Sequence, residues 1–181
     1  MCSADLKVHG EDEVGVLNGG SAASSVEGRD HSLSPPSTNG NYSLKGDRTT
    51  QYMASSDDVQ KNIESKSATL VDGRDAQQFH GLVTRNYVYS PGHIPGARLY
   101  PSELMLRNAG GALKFLPPQT YRALLSAQGI DPQGAAITYC NSGHLASGPW
   151  FVMSELLGNT KVRLYDGSLR SEEHTSELQS L

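Results

Sequence analysis

The pattern of hydrophobic and polar residues divides the chain into two parts near residue 57. Before that point large apolar residues are few, and serine, glycine and aspartate are common. From Ala68 onward, short apolar runs alternate with segments whose apolar residues recur at helical spacing. Strands that alternate with helices are typical of a parallel sheet covered on both faces. We therefore expect one α/β domain in the second part of the chain.

The apolar runs at 68–71, 135–139 and 162–165 predict buried parallel strands, and a shorter strand is expected at 98–100. A first helix is predicted after an N-cap signal at Ser55, with Val59 and Ile63 on one face. A second helix is predicted from Pro117-Pro118 to near Gly129, and a third follows the strand that ends at residue 139. Residues 13–17 have the apolar content of a short strand, but no partner strand is evident nearby.

Composition and charge exclude several classes of function. The chain has 181 residues, a net charge of -4 and a pI near 5.8, so it lacks the basic surface expected of a nucleic-acid-binding protein. No apolar run approaches the roughly 20 residues that span a membrane. Two cysteines are too few for a disulfide scaffold, and the first residues lack the features of a signal peptide. The expected location is cytoplasmic, with the periplasm open if the natural N-terminus lies upstream.

Cys140 follows the most strand-like run of the chain directly. In parallel α/β folds, ligands bind at the carboxyl ends of strands, near backbone N–H groups and helix N-termini. The segment Asn141-Ser142-Gly143-His144-Leu145-Ala146 contains small and polar residues that allow consecutive N–H groups to form an anion-binding nest. Such a nest stabilises a thiolate, which is the nucleophilic form of cysteine. The alternative is that Cys140 is a small buried apolar residue.

Several short motifs follow one another in the order found in rhodanese domains. They are Leu70-Val71-Asp72-Gly73-Arg74, Phe79-His80-Gly81, Gly92-His93-Ile94-Pro95-Gly96-Ala97, Cys140-Asn141-Ser142-Gly143 and Tyr165-Asp166-Gly167-Ser168. The sequence therefore resembles the rhodanese-like sulfurtransferase family from about residue 57 to 169. This resemblance implies an α/β rhodanese-like domain with a central parallel five-stranded sheet flanked by helices.

The resemblance also implies a reaction at Cys140. The thiolate would attack the outer sulfur of a donor such as thiosulfate, sulfite would leave, and a persulfide would remain until a thiol or cyanide removed it. The expected partners are these small molecules, and neither a metal nor another cofactor is needed. Two alternatives stay open: a 3-mercaptopyruvate sulfurtransferase, and a non-catalytic rhodanese module or inactive fragment.

The cysteine loop departs from related families in ways that bear on the substrate. Related phosphatases and arsenate reductases have an arginine at the position of Ala146, so phosphatase activity is disfavoured. The loop sequence matches neither the thiosulfate nor the mercaptopyruvate enzymes fully. Mercaptopyruvate enzymes tend to have a second arginine where this chain has Gln78. The missing charge favours thiosulfate as the donor.

Four further residues are candidates near the site. Arg74 is the best candidate for a substrate contact. The alternative is a structural ion pair between Arg74 and Asp72 that joins the strand end to a neighbouring loop. His93 is expected to stabilise its turn by a hydrogen bond. His144 either influences the thiolate or faces solvent. The spacing of the histidines and cysteines matches no zinc-binding pattern.

The resemblance extends weakly toward the N-terminus, where Val14-Gly15-Val16-Leu17-Asn18-Gly19-Gly20 is similar to the closing strand of a rhodanese domain. We expect residues 1–20 to be the remnant of a preceding rhodanese-like domain, 21–56 to be a disordered linker, and 57–169 to be a rhodanese domain that is incomplete at its C-terminus. Residues 170–181 are expected to be an artefactual tail, because the stretch from Arg170 to Ser180 matches the translation of a common sequencing adapter.

Overall fold

A computed structural model describes residues 3–29, 34, 40, 41 and 43–170. The expected tail beyond Arg170 lies outside the described residues. The helices within these ranges are α1 (Ser3–Val8), α2 (Gly20–Val26), α3 (Thr49–Tyr52), α4 (Ser56–Ser65), α5 (Ala76–Phe79), α6 (Pro118–Ala127) and α7 (Ser147–Phe151). The strands are β1 (Thr69–Asp72), β2 (Arg98–Leu99), β3 (Leu106–Ala109), β4 (Ala112–Phe115), β5 (Ala136–Tyr139) and β6 (Val162–Leu164). None of the described helices is both long and apolar enough to cross a membrane.

A parallel sheet forms the centre of the molecule, with the strand order β2-β1-β5-β6. Thr69 of β1 lies opposite Ala136 of β5, and Asp72 lies opposite Tyr139, so both strands end at the same edge. Cys140 is the residue that follows β5, and it therefore lies at this carboxyl edge of the sheet. This is the edge at which parallel α/β folds bind ligands.

The parallel α/β architecture predicted from the sequence is confirmed, but the number of strands differs. The expected sheet has five strands, whereas the described sheet has four. The fifth position is held by a single residue, Met53, which forms an isolated parallel bridge to Leu164. α3 ends at Tyr52 and the N-cap of α4 is Ser55, so only two residues between these helices are available for extended pairing.

Two apolar layers cover the two faces of the sheet, because consecutive strand residues point to opposite faces. One layer includes Val71, Ala136 and Cys140, and it packs against helical residues such as Trp150. The other layer contains Leu70, Ile137 and Tyr139 together with residues of α4 and α5. Burial on both faces explains why the strands are continuous apolar runs in the sequence.

The strand and helix predictions of the second part are confirmed within one or two residues at most ends. α7 continues into a π-helical turn, Val152–Leu156, before β6. The antiparallel hairpin of β3 and β4 was not predicted. Its turn is formed by Gly110 and Gly111, both with positive φ values of 64° and 83°. A Gly-Gly pair between two strand-like segments is a hairpin signal, so the sequence did contain this information.

The described residues of the first part of the chain include short helices. Residues 13–17 form no strand in the structure. α2 begins at Gly20 and α3 lies within the segment 21–56, and the ion pair between Arg48 and Asp12 connects that segment to the residues before it. Ala4 of α1 is completely buried in the same apolar layer as Trp150. Short helices that lack strong periodicity form here because the domain surface provides an apolar face for them to cover.

α4 begins with a capping box that was predicted only as an N-cap. The Ser55 hydroxyl accepts a hydrogen bond from Asp58 N at 3.1 Å, and the Asp58 carboxylate accepts one from Ser55 N at 2.9 Å. These bonds pair N–H groups that have no partner within the helix. The cap fixes the start of a helix that covers one face of the sheet.

Replacing Ser55 with alanine should lower the free energy of unfolding by about 1 kcal/mol, because it removes the capping acceptor. Urea denaturation of the Ser55→Ala variant measures this change. Lys61→Ala, at an exposed position of the same helix, is the matched control and should change stability by less than about 0.5 kcal/mol. Equal stabilities of the Ser55→Ala variant and the wild type would contradict the capping role.

Candidate active site

Cys140 is held at the carboxyl edge of the sheet by hydrogen bonds to the loop that follows β6. The Ser168 hydroxyl accepts hydrogen bonds from Cys140 N and Gly143 N, both at 3.0 Å, and donates one to Tyr165 O at 2.8 Å. Leu169 N donates to Cys140 O at 3.3 Å. Ser168 is completely buried and has a left-handed φ of 48°. This single side chain therefore fixes both ends of the turn that begins at Cys140.

Gly143 and Gly73 allow this turn to pack closely against its neighbours. Gly143 has a φ of 75°, and a Cβ atom there would lie 2.2 Å from Asp166 Oδ1. A Cβ atom on Gly73 would lie 3.2 Å from both Leu145 O and Pro149 Cγ. Larger residues at these two positions would push the cysteine loop away from the ends of β1 and β6.

Several backbone N–H groups of the loop are available to an anion. Within the described residues, the N–H groups of Asn141, Ser142, His144 and Leu145 donate to no backbone or side-chain acceptor. The same residues line a cavity of about 380 Å³ that also contains Cys140. Unpaired N–H groups beside a nucleophile stabilise negative charge on it or on a bound substrate.

Asp72 and Arg74 form a buried ion pair beside the loop. Arg74 Nη2 lies 2.7 Å from Asp72 Oδ2, and Arg74 Nε lies 3.0 Å from Asp72 Oδ1, with exposed side-chain fractions of 3% for Arg74 and 0% for Asp72. Arg74 also donates to Asn141 Oδ1 at 3.2 Å and to Gly92 O at 2.7 Å. Its guanidinium group thus joins β1 to the loop at Gly92 and to the cysteine loop.

The charge of Arg74 is balanced within the protein. Burial opposes the charged form, but the hydrogen bonds and the negative charge of Asp72 outweigh burial and raise the pKa of Arg74. Arg74 is absent from the residues that line the cavity around Cys140. Of the two roles considered for Arg74 from the sequence, this geometry favours the structural one.

Tyr139 completes the buried polar group at this edge. Its hydroxyl oxygen accepts a hydrogen bond from Ile94 N at 3.1 Å. Burial and the adjacent negative charge of Asp72 raise the pKa of Tyr139 well above its ordinary value. Tyr139 therefore stays protonated and acts as a neutral hydrogen-bonding group between β5 and the loop before β2.

The positive charge at the cavity comes from a residue that sequence reasoning did not identify. Arg85 lines the cavity with Cys140, together with its neighbours Asn86 and Tyr87. Arg85 is exposed and forms no ion pair among the described residues. It lies in an irregular segment between α5 and β2, where no periodic pattern predicts which side chains face the cysteine.

Gln78 also lines the cavity, and its side chain forms a hydrogen bond with Asn141. Asn141 Nδ2 donates to Gln78 Oε1 at 2.7 Å, and Gln78 Nε2 donates to the Asp75 carboxylate. Asp75 is the N-cap of α5 and also accepts a hydrogen bond from Gln78 N at 2.8 Å. Burial opposes ionisation of Asp75, but the hydrogen bonds from Gln78 outweigh it and lower the pKa of Asp75.

The two histidine candidates have different surroundings. His93 Nδ1 lies 2.9 Å from Phe79 O, and its ring stacks on the Phe79 ring with a centroid distance of 3.8 Å. His93 does not line the cavity. His144 is exposed and lines the cavity beside Cys140. The loop thus presents an imidazole at the cavity, while His93 connects its own turn to α5.

Two other cavities among the described residues lack a cysteine and a histidine. A cavity of about 380 Å³ lies near Phe115 and Phe151, and another of about 480 Å³ lies near Lys66 and Arg98. Neither is lined by cysteine or histidine. Of these cavities, only the one at Cys140 therefore combines a nucleophile, unpaired N–H groups and a positive charge.

Replacing Arg74 with methionine should lower the free energy of unfolding by about 3–5 kcal/mol, because Asp72 would remain buried without its partner. Guanidinium chloride denaturation measures the change. Arg122→Met, at an exposed position of α6, is the matched control and should alter stability by less than about 0.5 kcal/mol. Similar stabilities for the Arg74→Met and Arg122→Met variants would show that the ion pair is not structural.

Comparisons with known proteins find relatives of similar sequence. A Thermus thermophilus protein, "Sulfur carrier protein TtuD", is 34% identical over 174 residues, covering 90% of this chain and 59% of the relative. A Mycobacterium bovis protein, "Putative thiosulfate sulfurtransferase 1", is 30% identical over 169 residues with the same coverage. The chain thus spans about three fifths of the length of the curated relatives it matches.

The fold is also found among solved structures. The crystal structure of Tum1 protein from Saccharomyces cerevisiae superposes with a TM-score of 0.78 at 20% identity, covering 97% of this chain and 63% of Tum1. The sequence description of the rhodanese-like domain matches residues 55–171. This match covers well over half of the chain and includes Cys140 with its loop, so the chain belongs to the rhodanese-like domain family.

Proposed function

We propose that this protein is a sulfurtransferase that carries a transferable sulfur as a persulfide on Cys140, with thiosulfate as the donor. The observation that supports it most strongly is the position of Cys140. It follows β5 at the carboxyl edge of the sheet and lines a cavity with unpaired backbone N–H groups and Arg85. Reactive cysteines occur in electropositive surroundings of this kind.

The reaction has two half-reactions that balance without an oxidant or reductant. In the first, the Cys140 thiolate attacks the outer sulfur of thiosulfate, a new S–S bond forms, and the original S–S bond breaks so that sulfite leaves with the electron pair. In the second, a thiol or cyanide attacks the outer sulfur of the persulfide, and Cys140 leaves as a thiolate. Both enzyme forms carry negative charge on sulfur, so the same N–H groups can stabilise each of them.

The charges around the cavity favour a compact dianion as the donor. The guanidinium of Arg74 is neutralised by Asp72, so Arg85 supplies the charge for binding. 3-Mercaptopyruvate would require its carboxylate to be held in addition to its reactive sulfur, and Gln78 offers no charge for this purpose. Thiosulfate needs only the loop N–H groups and a single cation.

The names of the relatives support a sulfur-transfer function of this kind. One is called a thiosulfate sulfurtransferase with the qualifier putative, and another a sulfur carrier protein. Small sulfur compounds are the substrates that such names indicate. The position of Cys140 and the positive charge of Arg85 at its cavity support the proposal independently of these names.

Cys140→Ser should abolish persulfide formation and the production of thiocyanate from thiosulfate and cyanide, because the hydroxyl is a far weaker nucleophile than the thiolate. Peptide mass spectrometry after thiosulfate treatment should find one added sulfur atom on the peptide that contains Cys140. Cys2→Ser is the matched control, since Cys2 is the other cysteine of the chain, and it should keep full turnover. Added sulfur on Cys2 alone, or turnover by the Cys140→Ser variant, would overturn the proposal.

Arg85→Gln should reduce kcat/KM for thiosulfate about tenfold, since the lost charge-assisted hydrogen bond contributes about 1.5–3 kcal/mol when fully formed. Steady-state thiocyanate assays measure this change. Arg122→Gln, on the exposed surface of α6, is the control and should leave kcat/KM unchanged.

For the wild type, the same assays should give a lower kcat/KM with 3-mercaptopyruvate than with thiosulfate. A clear preference for mercaptopyruvate would refute thiosulfate as the donor.

A further inference from the structure

A continuous chain of hydrogen bonds passes directly beside the nucleophile, from Arg74 through Asn141 and Gln78 to Asp75. Arg74 Nη1 donates to Asn141 Oδ1 at 3.2 Å, and Asn141 Nδ2 donates to Gln78 Oε1 at 2.7 Å. Gln78 Nε2 then donates to the carboxylate of Asp75. Asn141 and Gln78 are both buried, with exposed fractions of 5% and 4%.

The two ends of this chain determine the direction of every hydrogen bond in it. A guanidinium group can only donate, and an ionised carboxylate can only accept. Because Asp75 accepts, the Gln78 amide must present its nitrogen to Asp75 and its oxygen to Asn141. Asn141 must then present its nitrogen to Gln78 and its oxygen to Arg74. Each amide group has one orientation that satisfies both neighbours, so rotation of either would leave two mismatched contacts in a buried site.

Asn141 is the residue bonded to Cys140, so holding its side chain also limits movement of the peptide between the two residues. We propose that Gln78 is a positioning residue for sulfur transfer, which acts through Asn141 to keep the cysteine loop in its reactive conformation. This inference rests on the proposed function of Cys140. In this proposal the uncharged side chain of Gln78 contacts the cysteine loop rather than the substrate.

The surroundings of Gln78 are consistent with this role. On its own helix it contacts Asp75, and on the cysteine loop it contacts Asn141. Gln78 also lines the cavity, whose charged or titratable lining groups are Arg85, Tyr87, Cys140 and His144. Gln77, the preceding residue, is exposed and lies outside the chain of hydrogen bonds, so it provides a matched control in the same helix.

The first experiment measures single-turnover persulfide formation at several thiosulfate concentrations. Gln78→Met has a similar volume but cannot form either hydrogen bond, so its maximal rate should fall about tenfold while the half-saturating thiosulfate concentration changes less than about twofold. Gln77→Met should leave both values unchanged. A rise in the half-saturating concentration with an unchanged maximal rate would overturn the positioning role and indicate a direct substrate contact.

The second experiment tests whether Gln78 acts through Asn141. In an Asn141→Ala background, adding Gln78→Met should reduce the maximal rate by less than about twofold, because the contact that it removes is already absent. Independent effects that multiply in the double variant would overturn the proposal.

The third experiment uses a substitution that can restore the hydrogen bonds at acidic pH. The introduced side chain of Gln78→Glu repels Asp75 when it is ionised, but when protonated it has the shape of glutamine and can donate to Asp75. Two carboxyl groups this close together retain a shared proton at higher pH than a free glutamate does. The rate of the Gln78→Glu variant relative to wild type should therefore rise at least threefold between pH 8 and pH 5, on the order expected from restoring one hydrogen bond. A constant ratio would overturn the proposal, even if Gln78→Met does not fold.

A fourth measurement separates this inference from the proposed function. Alkylation of Cys140 by iodoacetamide, followed on its own peptide, reports the reactivity of the thiol without any sulfur transfer. The alkylation rate should change at least threefold in Gln78→Met and stay the same in Gln77→Met. If the wild type takes up no sulfur from thiosulfate, the proposed function is wrong. Equal alkylation rates for the wild type, Gln78→Met and Gln77→Met would separately refute the role of Gln78.

Discussion

The buried ion pair between Asp72 and Arg74 is the interaction on which the rest of the site depends. Asp72 ends β1, and Arg74 extends from it to Gly92 O and to Asn141 of the cysteine loop. Unpaired buried charges are very costly, so the backbone around this pair must stay where its hydrogen bonds can form. The pair therefore fixes the relative positions of β1, the loop before β2 and the loop after β5. Cys140 has its position at the carboxyl edge because these segments are held together.

This arrangement also determines which groups are left for chemistry. The charge of Arg74 is paired with that of Asp72, and the N–H groups of Cys140 and Gly143 donate hydrogen bonds to the Ser168 hydroxyl. The N–H groups of Asn141, Ser142, His144 and Leu145 remain available to an anion, and so does the exposed side chain of Arg85. The residues that hold the cysteine loop in place are thus different from the groups left free at the cavity. In the proposed reaction, this division would allow the loop to stay rigid while Cys140 gains and loses sulfur.

The sequence predicted the strands of the parallel sheet, the helices after Pro117 and Cys140, and the place of Cys140 at the carboxyl edge of the sheet, because these depend on local apolar runs and on the order of motifs. It missed the groups whose roles arise from tertiary contacts. Arg85 lies in an irregular segment, Gln78 attracts notice mainly as a missing charge, and Ser168 is a hydroxyl whose partners lie 28 and 25 residues away. The Gly110-Gly111 hairpin was a local signal that was overlooked, and the missing fifth strand follows from helices that leave little room around Met53.

If Ser168 holds the cysteine loop, the loop is fixed in its conformation before any substrate binds. Amide hydrogen exchange followed by NMR measures this residue by residue along the loop. The amides of Cys140 and Gly143, which donate to Ser168, should exchange as slowly as the central amides of β5. The amide of Ser142, which has no acceptor among the described residues, should exchange rapidly. Rapid exchange at Cys140 and Gly143, with β5 still protected, would contradict a preformed loop.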